Sequence, residues 1–106
     1  MENDIAKLES RIQTVKKKLM ALGEMRPGVL TMQYKKPKEK EGGFYQLSYT
    51  YRMKSKTEYV QSRFVKKTKK MVENFKKFKK LTQEWVDLSL ELAKLKMQLA
   101  KVKNLS

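Results

Sequence analysis

Between Ser62 and Lys103 there is no glycine or proline, and this uninterrupted stretch constrains the fold more than any other feature of the chain. Phe78, Leu81, Trp85, Leu88, Leu92, Leu95, Leu99 and Val102 recur at alternating intervals of three and four, the a/d spacing of a helical seam. A helix over 62–103 would be about 60 Å long at a rise of about 1.5 Å per residue, longer than a small globule can cover. The chain must therefore supply a partner for the seam or recruit one.

The two parts of this predicted helix differ in character. The first carries Arg63, Lys66, Lys67, Lys69, Lys70, Lys76, Lys77, Lys79 and Lys80 against a single acid, Glu73. On a helical wheel Phe64, Val65, Met71, Val72, Phe75 and Phe78 gather on one side, and the cations fill most of the remaining arc. The chain as a whole has a net charge of +15 and a pI near 10.0, so polyanions are the expected partners. Lysine predominates over arginine, which favours point-charge contacts with phosphates over bidentate reading of bases. The expectation is nucleic-acid binding, DNA before RNA, with weak sequence preference. Arg52, Lys54 and Lys56 join the helical cations as candidate contacts. Two competing readings use the same residues: lysine as a good helix former on an exposed coil, and a helical adaptor that binds an acidic protein.

Residues 3–22 predict a first helix, with Asn3 or Asp4 as N-cap, a seam of Ile5, Leu8, Ile12, Val15, Leu19 and Leu22, and Gly23 as terminator. Arg26-Pro27-Gly28 reads as a turn. A strand is expected over 29–34, a mobile solvated loop over the wholly polar run 35–43, and a second strand over 44–52. A turn at 53–56 and a short strand at 57–60 complete a three-stranded antiparallel meander across 29–60. Alternation puts Tyr45, Leu47, Tyr49 and Tyr51 on one face of the second strand. Tyrosines beside Arg52, Lys54 and Lys56 could stack unpaired bases, but packing on a helix is favoured because three strands need an apolar partner. The fold class is α+β, mainly helical, in a single domain spanning 1–106.

Helix lengths predict how the pieces meet. A first helix of about 30 Å covers only half of a 60 Å partner, and it is expected beside residues 63–80. That leaves Leu81, Trp85, Leu88, Leu92, Leu95 and Leu99 exposed as a seam for a second copy, making a homodimer.

Several function classes are disfavoured by composition. With no cysteine and no histidine there are no disulfides, no thiol chemistry and none of the common zinc-ligand sets, so no metal, no cofactor and no enzymatic role are expected. Glu84, Asp87 and Glu91 read as helical ion-pair partners of Lys80 and Lys94, not as an acid–base pair. Gly42-Gly43 stands alone before a strand and does not make a phosphate loop. The N-terminus lacks the pattern of a signal peptide, and no apolar run approaches about 18 residues, so a cytoplasmic location off the membrane is expected.

Arg26-Pro27-Gly28-Val29-Leu30, Gly43-Phe44-Tyr45-Gln46-Leu47-Ser48-Tyr49-Thr50, Lys56-Thr57-Glu58-Tyr59-Val60, Asn74-Phe75-Lys76-Lys77-Phe78-Lys79 and Glu84-Trp85-Val86-Asp87-Leu88-Ser89-Leu90-Glu91-Leu92 together resemble a small prokaryotic family of unknown function. The resemblance spans roughly residues 24 to 95. Members of that family are often met near mobile elements, which implies a nucleic-acid role by association. Many also carry a Cys-Gly-Lys-Pro-x-Cys-x-Cys cluster where this chain reads Tyr34-Lys35-Lys36-Pro37-Lys38, so no thiolate metal site is carried over.

Overall fold

The computed structural model describes residues 1–36 and 38–105, with Glu41 and Leu105 described by their backbone alone. The elements run α1 (Glu2–Met20), β1 (Val29–Lys36), β2 (Glu41–Tyr51), β3 (Lys54–Val60), a short 3-10 turn (Ser62–Phe64) and α2 (Val65–Leu105). The fold is α+β and mainly helical, with a three-stranded antiparallel sheet in the order β1-β2-β3. Two compact units are present: residues 1–22 with 78–106, and residues 23–77.

The first unit is a helical pair. Leu8, Ile12 and Val15 of α1 and Leu88 of α2 are buried, and Leu19, Leu81, Trp85, Leu92 and Leu95 pack around them. The helices run antiparallel, because Glu2 pairs with Lys103 at 3.8 Å and Glu9 with Lys96 at 3.7 Å, a step of one heptad forward on one helix and one heptad back on the other. Lys16 lies over the Trp85 ring at 5.2 Å. This placement corrects the expectation that the N-terminal helix lies beside residues 63–80. The Leu81–Leu95 seam, expected to be open for a second copy, is filled by α1 of the same chain.

The reason lies in the second unit. There the sheet already covers the apolar side of the first part of α2. Leu47, Val60, Val65 and Val72 form its buried core, with Leu30 and Tyr45 packed against them. Leu47 is the anchor, wholly removed from solvent at the middle of the central strand, and Tyr45 joins it from the same face as expected.

Strand boundaries exceed those expected, since ladder formation needs backbone groups and not apolar side chains. Lys35, Lys36 and Glu41–Gly43 extend the β1–β2 hairpin, and Lys36 faces Glu41 in the register. The expected loop 35–43 therefore shrinks to a turn at 38–40, with Pro37 outside the described residues. β2 and β3 meet through a two-residue turn, Arg52-Met53, with Tyr51 facing Lys54. Both turn residues have positive φ, 50° and 66°, the geometry for which Asn-Gly is the usual choice. The helix starts also shift. Asn3 and Asp4 lie inside the first turn of α1, and Ser62 opens the 3-10 turn ahead of α2.

Candidate nucleic-acid interface

The apolar side of α2 is fixed by Val65 and Val72 against the sheet, so helical geometry sends residues offset by about half a turn toward solvent. Arg63, Lys66, Lys70, Glu73 and Lys77 follow one another at intervals of three, four, three and four, and all are exposed. They form one stripe opposite the buried valines. Lys80, also exposed, takes the next step of the same spacing in the helical unit. Arg63, Lys66, Lys67, Lys69, Lys70 and Glu73 border a shallow depression at the start of the stripe.

Not all the expected cations are equally available. Lys67 is drawn to Glu24 at 3.5 Å. Lys69 lies over the Tyr45 ring at 5.6 Å, on the sheet side of the helix. Arg63 is steadied by the Gln61 side chain, to which its Nε donates at 3.0 Å, and its guanidinium lies 5.5 Å from the Phe64 ring. Lys76 is exposed but falls between the stripe and the buried side. Glu73 sits in the middle of the cations, where it opposes an approaching phosphate.

Arg52, Lys54 and Lys56 form a separate basic group at the β2–β3 hairpin. Arg52 lies over the Tyr51 ring at 5.1 Å, while Lys54 and Lys56 face Tyr51 and Tyr49 across the strands. The aromatics there do not make a single stacking platform. Tyr51 and Tyr59 are both exposed, but register puts them on opposite faces of the sheet, with Tyr59 packed near Phe44 at 6.2 Å.

One polar cluster was not foreseen. The Tyr49 hydroxyl donates to Glu58 at 2.6 Å, Arg26 donates to the other carboxylate oxygen at 3.1 Å, and the Arg26 guanidinium lies 5.0 Å from the Tyr49 ring. The hydrogen bond from Tyr49, then that from Arg26, holds Glu58 below the usual carboxylate range. The bond to Glu58 in turn pushes the Tyr49 hydroxyl upward. Only the hairpin register, Leu47 facing Glu58 and Tyr49 facing Lys56, brings these groups within reach. The ion pair, the tyrosine hydrogen bond and the ring contact together make the cluster a brace for the Arg26-Pro27-Gly28 segment.

Among the described residues no group of histidine, cysteine, aspartate and glutamate could hold a metal ion, and no helix is long and apolar enough to cross a membrane. No protein-family model, curated protein or solved structure matches the chain.

Proposed function

We propose that this protein binds the phosphate backbone of nucleic acid, duplex DNA before RNA, through Arg63, Lys66, Lys70, Lys77 and Lys80. One observation carries the reading: Lys66, Lys70 and Lys77 share a stripe on the side of α2 opposite buried Val65 and Val72, and Arg63 precedes them at the same spacing in the 3-10 turn. A rigid helix holding cations in a row neutralises successive phosphates without ordering each lysine separately. Lysine-rich contacts of this kind discriminate weakly between sequences. Arg52, Lys54 and Lys56 form a second group of cations for a polyanion to meet.

The competing function, an adaptor for an acidic protein, uses the same charge without the same geometry. Anisotropy measurements with labelled duplex, labelled single strands and a polyglutamate control separate the two. Preferential binding of duplex, lost on changing Lys66, Lys70 and Lys77 together to Glu while circular dichroism stays unchanged, supports the proposal. Equal binding of duplex and polyglutamate, or duplex binding that survives the triple change, contradicts it.

A further inference from the structure

With the Leu81–Leu95 seam filled by α1, α2 still has apolar residues to account for. Thr82, Val86, Ser89, Leu90, Ala93 and Met97 recur at helical spacing on a second side of the helix, about a third of a turn or more around from Leu88. Val86 is 52%, Leu90 60% and Met97 70% exposed. Thr82, Trp85, Val86, Ser89 and Leu90 line a shallow, largely apolar groove. No charged residue interrupts the stripe from Thr82 to Met97.

We infer that this stripe is the interface with a second copy of the same chain, and that the two α2 helices cross it antiparallel about a two-fold axis near Leu90. Three observations select that occupant. First, the helical unit is under-filled by itself: among its described apolar residues only Leu8, Ile12, Val15 and Leu88 are buried. A two-helix pair is ordinarily stabilised by joining another, and doubling this one gives four helices around a common core. Second, the chain has its longest run without a lysine or arginine here. Between Leu81 and Ala93 lie Glu84, Asp87 and Glu91 and no lysine or arginine, so two copies of a strongly basic protein meet where repulsion is least. Third, one flank of the stripe is self-complementary in the antiparallel sense. Asp87 and Lys94 lie on the same edge, one heptad apart. An antiparallel pairing centred near Leu90 sets each Asp87 opposite the other copy's Lys94, twice by symmetry. A parallel two-fold pairing turns this edge toward the opposite edge of the other copy and brings no Asp87 to a Lys94.

This interface is distinct from the filled Leu81–Leu95 seam and independent of the nucleic-acid proposal. Sedimentation velocity at tens of micromolar should show a dimer for the wild type. Val86→Lys with Leu90→Lys, both exposed positions, should weaken dimerisation at least tenfold while helicity measured by circular dichroism is retained. Because the chain has no cysteine, Leu90→Cys and Ala100→Cys report the orientation. Oxidation should link Leu90→Cys chains efficiently and Ala100→Cys chains poorly, since antiparallel copies of position 100 are about 30 Å apart along the axis. A wild-type monomer, a dimer indifferent to the paired lysines, or equal linkage at both cysteines would overturn the inference.

Discussion

The Asn74 side-chain amide donates to the backbone carbonyl of Glu24 at 2.9 Å, from a helix position only 6% exposed. Beside it the Arg26 backbone N–H donates to the Met71 carbonyl at 3.2 Å. These two bonds fasten the segment after α1 to the first part of α2. They also hold Glu24 where it meets Lys67 and Arg26 where it meets Glu58. Asn74→Ala should therefore cost about 0.5–1.5 kcal/mol, the net worth of a hydrogen bond to an acceptor that water can still reach. Asn74→Asp should cost at least as much, because a carboxylate cannot donate to a carbonyl at neutral pH. Thermal unfolding by circular dichroism checks both; a loss below a few tenths of a kcal/mol for either would contradict the role given to this bond.

Gly28 stands where no side chain fits. Its φ is 143°, and a Cβ built there falls 2.6 Å from Cδ1 of Leu47, the side chain most completely buried in the protein. Gly28→Ala combines backbone strain with overpacking and should destabilise the sheet unit by about 1–3 kcal/mol or more. Adding Leu47→Ala should relieve the overlap, so the double variant should lose less than the sum of the two single changes. Additive losses in denaturant titrations would show that the overlap is not what excludes the methyl group.

The Glu58 brace predicts a pH dependence of known sign. A carboxylate held low in the folded state contributes stability that is present above its unfolded value, about 4.3. That stability is lost as pH falls through the lower folded value. Glu58→Gln should flatten the acid side of the stability profile below about pH 4.3, and Tyr49→Phe should flatten it partly. The group is largely solvent-exposed, so the effect should be modest. If the acid limbs of wild type and Glu58→Gln coincide, the carboxylate does not contribute in this way.

Glu73 interrupts the proposed phosphate-binding stripe between Lys70 and Lys77. Glu73→Lys should raise duplex affinity and make the salt slope steeper by about 1, from the added phosphate contact. Unchanged affinity would place the bound backbone elsewhere.

Both helices and the strand pattern were legible in the sequence, because period is a local property. The three-and-four spacing of Leu81 to Leu95 and the alternation of Tyr45 and Leu47 correspond to the faces that are packed. Which surface α1 would choose was not legible. Two apolar sides of α2 competed for it, and the outcome depended on the sheet filling one of them through Leu47 and Val60. The turn at Arg52-Met53 was hidden for a different reason: neither residue is one that positive φ ordinarily selects. Within the candidate interface, spacing placed the cations over a broad arc and did not narrow them to the row of Arg63, Lys66, Lys70 and Lys77. The diversion of Lys67 to Glu24 and of Lys69 to Tyr45 needed tertiary structure, since both partners are remote in sequence.

The salt dependence of duplex binding tests the proposed function most directly. If Arg63, Lys66, Lys70, Lys77 and Lys80 each neutralise one phosphate, a log-log plot of affinity against salt should have a slope of roughly −4 to −5. Changing Lys66 and Lys70 to Gln should reduce that slope by about 2 at every duplex sequence tried. A shallow wild-type slope, or one that the two substitutions leave unchanged, would contradict a phosphate-binding role for this helix.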